Sequence, residues 1–379
     1  MRILFVTHYS TMYGANKSLL YLMKDLRLRY NVYPVVLIPQ KGSFSEELEK
    51  ENIEYIVIKF HNWMGKKCKS SRLKGIAKDW INRKQCWANK ALLEKYQFDI
   101  VHSNSSVCSI GAYISQKLGK KHIWHIREFG KSDYDLEYEN SIRFVKKCYG
   151  RAEQIVTISG ELNKVYSDFI SQDKMKMIYN GIHINKDYKK EGTSNPIVNF
   201  CIVGLLTYNK NQLEVIEASK LLIERGISNF CLNIIGEGDQ DYTNNIKAIV
   251  NQNGMEQYVK LWGYRNDVDV ILNNMHVGIV PSKKEAFGRV TIEYMAKWMP
   301  VIGANTGGTK ELIVNNMNGY LYELGSAKDL ADKMQYFIEN RQDILGLGKQ
   351  AFEYSIENFS VEKNTDKIYN LYQQALNMN

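Results

Sequence analysis

The sequence predicts an α/β protein: two doubly wound, Rossmann-like halves, each a parallel sheet covered by helices, facing a central cleft. Three observations carry that prediction. Short apolar runs without clean polar alternation recur along the chain, the pattern of strands buried on both faces. Segments of helical apolar spacing separate them, as crossovers between parallel strands require. The polar stretch "KDYKKEGTSNP", Lys186 to Pro196, interrupts this alternation, which then restarts.

In the first half the runs are "RILFVTH", "YPVVLIP", "EYIVIKF", "FDIVHSN", "KHIWHIR" and "EQIVTIS", with a first helix over Ala15 to Leu28. In the second they are "IVNFCIVG", "NFCLNIIG", "YVKLWGY", "HVGIVPS" and "MPVIGAN". At 379 residues and 44% hydrophobic, the chain exceeds a single core of ordinary size. We therefore expect one Rossmann-like domain over 1–190, a second over 191–360, and a C-terminal helix over 361–379 that packs back towards the first domain. Ile368, Leu371, Tyr372 and Ala375 form the apolar face of that helix.

Six cysteines are scattered, with no CxxC pair and no zinc-like spacing, which points to reduced thiols in a cytoplasm. No apolar run approaches the ~20 residues of a membrane span. The net charge is +9, and it is concentrated. Between Met64 and Tyr96 lie eight Lys and two Arg against Asp79 and Glu94, with Trp80 and Trp87 inside the segment and Trp63 just before it. Cations mixed with interfacial aromatics suit an anionic membrane surface, so 64–96 is expected to hold the protein peripherally at the inner face of the cell membrane; a solvated loop is the alternative. No nucleic-acid-binding module accompanies the charge, and no nucleic-acid partner is expected.

In open parallel sheets ligands bind beyond the carboxyl ends of strands, so the informative residues follow each run. The stretch "PSKKEAFGRVTIEYMAKWMPVIGANTGG", Pro281 to Gly308, is the richest of these. Its helix is expected to begin near Gly288, where exposed N–H groups favour an anion. Glu293 then lies roughly 7 Å along the helix axis, placed to accept from vicinal hydroxyls. Glu285 lies on the loop before the helix, on the other side of such an anion. The spacing suits a sugar diphosphate nucleotide, against the alternative of a plain surface glutamate at 293.

"PSKKEAFGRVTIEYMA", "PVIGANTGGTKELI" and "NGYLY" together resemble the signature of glycosyltransferase family 4, retaining enzymes that use sugar nucleotides on a GT-B fold. "YGANKSLLYL", "FDIVHSNS", "MIYNGIHI" and "VGLLTYNKNQLEVIEA" extend the resemblance over most of the chain. It implies that Glu285 contacts the donor sugar, Glu293 the ribose, and Lys210 the diphosphate. Gly14, Ala15, Phe287, Gly288, Arg289 and Val290 would line the diphosphate, with Gly204, Gly263 and Tyr264 completing the donor site. His125 would lie against the donor sugar. Arg127 and Glu128 are candidates for holding the acceptor, a surface salt bridge between them being an equal account.

Two departures stand out. Leu205 occupies the position where the family usually has an arginine on the diphosphate, and "TMYGAN" has one glycine where two are common. Arg289 is the candidate to compensate for Leu205. The resemblance implies transfer from a UDP-sugar or related donor to a glycan or lipid-linked glycan in bacterial surface-polysaccharide synthesis, without metal or cofactor. The rival readings are a sugar-nucleotide epimerase and a non-catalytic binding subunit.

Overall fold

The computed structural model describes residues 1–66, 71–168, 170–190 and 196–377. They form two compact units, one joining Met1–His183 to the helix Val361–Asn377, the other spanning Ile184–Ser360. The change of unit thus falls ahead of residue 190.

The strands of the first unit are β1 (Arg2–Val6), β2 (Tyr33–Ile38), β3 (Glu54–Val57), β4 (Met64–Lys66), β5 (Ile100–Ser103), β6 (Lys121–Ile126), β7 (Leu136–Tyr138), β8 (Gln154–Thr157) and β9 (Met175–Met177). Seven of them make a parallel sheet in the order β3-β2-β1-β5-β6-β8-β9. Each of the six apolar runs of this half supplies a strand. Two pieces do not show as such runs: the edge strand β9, and the antiparallel ribbon of β4 with β7. On one face the sheet buries Ile3, Phe5, Val36 and Ile100 together with Leu19, Leu22 and Leu26 of the first helix, Gly14–Tyr30. The same core contains Ile368, Leu371, Tyr372 and Ala375, the face that the spacing predicts for the last helix. Tyr369 stacks on Tyr30 with ring centres 3.9 Å apart, and Arg29 pairs with Asp366 at 2.6 Å.

The second unit contains β10 (Val198–Val203), β11 (Phe230–Ile235), β12 (Val259–Gly263), β13 (Val277–Val280), β14 (Val301–Ala304) and β15 (Gly319–Tyr322), in the parallel order β12-β11-β10-β13-β14-β15. Val198, Phe200, Leu232, Val277 and Ile302 form its center with the buried faces of the Gln212–Glu224 and Ala327–Glu339 helices. In both sheets the chain winds outward and then returns to the middle. The reversal falls between β1 and β5 in the first sheet and between β10 and β13 in the second, which makes the ends of those strands the favoured ligand positions.

Candidate functional site

At the second unit's switch point, β10 leads into Lys210 and β13 into Glu285, and the two side chains form an ion pair. Ser282 Oγ donates to the same carboxylate oxygen at 2.8 Å. The loops that carry the pair are tied together by backbone: Lys283 N donates to Asn209 O at 2.8 Å, and Gly308 N to Glu285 O at 2.8 Å. Gly307 has φ +53°, and a Cβ there would lie 2.6 Å from the Glu285 carbonyl oxygen, so only glycine lets the two loops pack this closely.

Glycines also end the three neighbouring strands. Gly204, Gly236 and Gly263 follow or close β10, β11 and β12 with φ of +152°, +142° and +67°. Gly204 N donates to Ile235 O at 3.0 Å and Gly236 N to Gly263 O at 2.9 Å. The Lys210 chain passes over Gly204, its Cε 4.0 Å from where a Cβ would stand. Leu205, next in sequence, is about half exposed, and Tyr264 is exposed.

The helix expected near Gly288 runs from Arg289 to Met295, with Gly288 preceding it at φ +84°. Phe287 is buried and stands edge-on to Phe359, and Val290 packs into the same layer as Met295 and Ile313. Arg289 Nε donates to Glu293 Oε1 at 2.8 Å, so the residue proposed for phosphate and the one proposed for ribose are bound to each other one helical turn apart.

In the first unit, Gly14 opens the helix after β1, and a Cβ there would meet nothing within 4 Å. Protein packing alone therefore does not require a glycine at this position. Asn16 braces the loop before it, accepting from Thr7 Oγ1 at 2.8 Å and donating to the carbonyls of Tyr9 and Thr11. Asn104, just after β5, reaches Ala15 O at 3.5 Å.

His125 lies on β6, fully buried, with Nδ1 3.2 Å from His102 Nε2 and 3.4 Å from an Arg127 terminal nitrogen. His102 Nδ1 in turn lies 2.7 Å from the Tyr372 hydroxyl of the last helix. Burial, reinforced by the Arg127 charge, holds both imidazoles well below the usual histidine pKa, hence neutral. Because a guanidinium only donates, His125 Nδ1 is the acceptor. The hydrogen-bond pattern then assigns a single direction: Tyr372 donates to His102, His102 Nε2–H donates to His125, and His125 carries its proton on Nε2. That Nε2 has no hydrogen-bond partner among the described residues.

Arg127 and Glu128 are not a surface salt bridge, since both are buried and bonded to neutral neighbours. Arg127 donates to Asn104 Oδ1 at 2.5 Å and to Asn180. Glu128 Oε1 accepts from Ser105 Oγ, Ser106 N and Ser106 Oγ at 2.6, 2.5 and 2.8 Å. Desolvation pushes the Glu128 pKa up, opposed by those three bonds. These two residues organise the loop after β5.

Of the basic segment 64–96, residues 67–70 lie outside the described residues. Trp63 requires a correction as a candidate for a lipid surface. It is 2% exposed, stacks on Trp124 with ring centres 5.4 Å apart, and donates from its indole to Ser106 O at 2.6 Å. Trp80 and Trp87 are exposed.

Residues 14–186 match the family model described as Glycosyltransferase Family 4, and residues 184–354 match the one described as Glycosyl transferases group 1. The chain belongs to the family 4 glycosyltransferases. This glycosyltransferase is 26% identical to the Escherichia coli UDP-Gal:alpha-D-GlcNAc-diphosphoundecaprenol alpha-1,3-galactosyltransferase over 304 residues, 74% of this chain and 76% of that protein. It is 26% identical over 242 residues to the capsular polysaccharide biosynthesis glycosyltransferase CapM of Staphylococcus aureus, 58% of this chain and 62% of that one. Among solved structures it is similar to Anabaena HepE in complex with UDP, with a TM-score of 0.81 at 21% identity over 99% of this chain and 100% of that one. The glycosyltransferase thus has the GT-B fold.

Sequence reasoning gave no individual role to Ser282, Asn104, His102 or Tyr372. Ser282 and Asn104 lie in the strand-end stretches 281–289 and 103–105 that it marks as informative. His102 and Tyr372 are 270 residues apart, and no local pattern joins them.

Proposed function

We propose that the glycosyltransferase moves a sugar from a UDP-sugar to a glycan or lipid-linked glycan with retained anomeric configuration, in the cytoplasm, during bacterial surface-polysaccharide synthesis. The observation that carries this reading is the Lys210–Glu285 pair at the switch point of the second sheet. The UDP and the acceptor class are supported by the E. coli relative's name, and a role in polysaccharide synthesis by that of CapM.

In this reading the bond between the sugar's anomeric carbon and the diphosphate oxygen breaks. The acceptor hydroxyl oxygen bonds to that carbon on the same face, and its proton passes to the departing phosphate oxygen. Lys210 has three N–H donors, so it can keep one on Glu285 and turn others to the diphosphate as its charge grows. Glu285 accepts from sugar hydroxyls, and Glu293 accepts from the ribose while Arg289, bonded to it, adds positive charge in place of the arginine missing at Leu205. His125 offers its Nε2–H to the sugar. None of the charge on the diphosphate is assigned to a metal.

The test incubates purified protein with labelled nucleotide sugars and a bacterial lipid extract, with and without EDTA, and determines the product anomer by NMR. Transfer from one UDP-sugar, retained and indifferent to EDTA, is expected. An epimerised nucleotide sugar formed without acceptor, or UDP binding with no transfer to any acceptor, would replace this reading with an epimerase or a binding subunit.

A further inference from the structure

The Arg72–Ala88 helix carries its apolar face outward. Leu73, Ile76, Trp80 and Trp87 are 80%, 65%, 64% and 72% exposed. At about 100° per residue these four project within an arc of roughly 60°, a single stripe along the helix. A helix on a protein surface ordinarily turns such a stripe to the core.

Here the inward face is made of Gly75, Asn82 and Cys86. A Cβ on Gly75 would lie 2.4 Å from the Glu139 carbonyl oxygen, so the helix sits directly against backbone. Asn82 accepts from His61 N and donates to His61 O, both at 2.8 Å. These contacts fix the rotation of the helix and leave the stripe uncovered by the described residues of its unit.

The charges around it are of one sign. Lys84 Nζ lies 5.4 Å from the Trp80 ring center and Lys117 Nζ 5.3 Å from that of Trp87. Arg72 and Lys74 are exposed on the first turn. The nearby carboxylates are neutralised by their own partners, Asp79 by Arg83 at 2.8 Å and Glu139 by Lys78 at 2.5 Å.

We propose that Leu73, Ile76, Trp80 and Trp87 form a docking face for an anionic bilayer, seating in the headgroup layer while Arg72, Lys74, Lys84 and Lys117 meet lipid phosphates. Tryptophan suits this position because its indole is apolar in body and polar at one edge, and a lipid surface, unlike a protein partner, accepts a stripe without matched shape. The face goes beyond the transfer reaction, and it can be tested without any sugar nucleotide.

The full chain is sedimented with vesicles of phosphatidylcholine alone or with a third phosphatidylglycerol, at low and high salt. Binding to anionic vesicles at low salt, about tenfold above neutral ones and falling as salt screens the charges, is expected. Trp80→Ser with Trp87→Ser, and separately Lys74→Glu with Lys84→Glu, should each reduce it about tenfold, with melting and UDP affinity unchanged. Wild type left in the supernatant at low salt, or a double tryptophan variant that sediments like wild type, overturns the proposal. So does a concentration-dependent dimer that the tryptophan changes abolish without any vesicle binding, which would make the face an interface between copies. Because UDP affinity is measured in parallel, failure here is distinguishable from failure of the transferase reading.

Discussion

Tyr372→Phe removes one hydroxyl from the center of the first unit and tests the directed chain from Tyr372 through His102 to His125. The ring is fully buried, and its oxygen lies 2.7 Å from His102 Nδ1. Deleting it leaves that nitrogen a buried acceptor without a donor, at a cost of about 1–3 kcal/mol. His102 gains nothing by moving its proton to Nδ1, because its Nε2 lone pair would then face that of His125 Nδ1, which Arg127 holds as an acceptor. For a unit the size of Met1–His183 with the last helix, each kcal/mol corresponds to about 2–4 °C, so a loss of ~2 kcal/mol lowers its transition by ~4–8 °C. Calorimetry measures that shift, and nitrogen NMR of the protein labelled at histidine reads the tautomers. In wild type His125 should show a protonated Nε2 and a bare Nδ1 that do not titrate near neutral pH. In the variant the His102 resonances should move and turnover should fall, while UDP affinity stays constant. An unchanged melting temperature together with unmoved His102 signals would refute the directed chain.

Lys210→Ala leaves Glu285 with Ser282 alone and should weaken UDP binding by about 1.5–3 kcal/mol while reducing turnover at least as severely; near-normal turnover would mean that backbone N–H groups hold the diphosphate. Glu293→Ala should weaken calorimetric binding of both UDP and the UDP-sugar, whereas Glu285→Ala should spare UDP and depress transfer, and equal losses on UDP would reject that division. Gly288→Ala should destabilise by about 1–2 kcal/mol, because φ is +84° and a Cβ would stand 3.2 Å from Thr291 Oγ1 and 3.3 Å from Thr309 Oγ1. Stability should also fall with acid. His8, His122 and His276, with pKa lowered by burial to about 4, about 3 and about 4, stay neutral in the folded chain, as do His102 and His125, while the unfolded chain takes up protons below about pH 6.5. Asp133, raised to about 6, and Glu128, also raised, act in the opposite sense as the pH drops. Denaturant midpoints should therefore decline between pH 7 and pH 4.5, because the five histidines lowered by burial outnumber the two raised carboxyls, and a flat profile would contradict the burial assigned to them.

Much of the fold was legible because buried parallel strands need no partner to be recognised. "RILFVTH" and "IVNFCIVG" are apolar on both faces wherever they end up, and the residues after them are at strand ends by construction. The Gly288 start of a helix and the Glu285 and Glu293 flanking it follow from the same local grammar of glycine, turn and apolar spacing. The short strands β4, β7 and β9 are strands only because a neighbour supplies hydrogen bonds, and no run of three residues announces that. Periodicity likewise gives the face of a helix and not what covers it. The same helical spacing places Leu371 and Tyr372 in a core and Leu73, Trp80 and Trp87 in solvent. Trp63 and Trp80 read alike as aromatics beside lysines, yet the first is stacked on Trp124 and the second is bare. Partner choice among polar groups is just as invisible in sequence: Arg289 to Glu293 is a local pairing, whereas Tyr372 to His102 spans 270 residues. Sequence by itself determined the two sheets, their strand ends and the residue types delivered there. Only tertiary structure decided which of those groups are held by one another, because hydrogen bonding and burial depend on distances that the chain sets after it has folded.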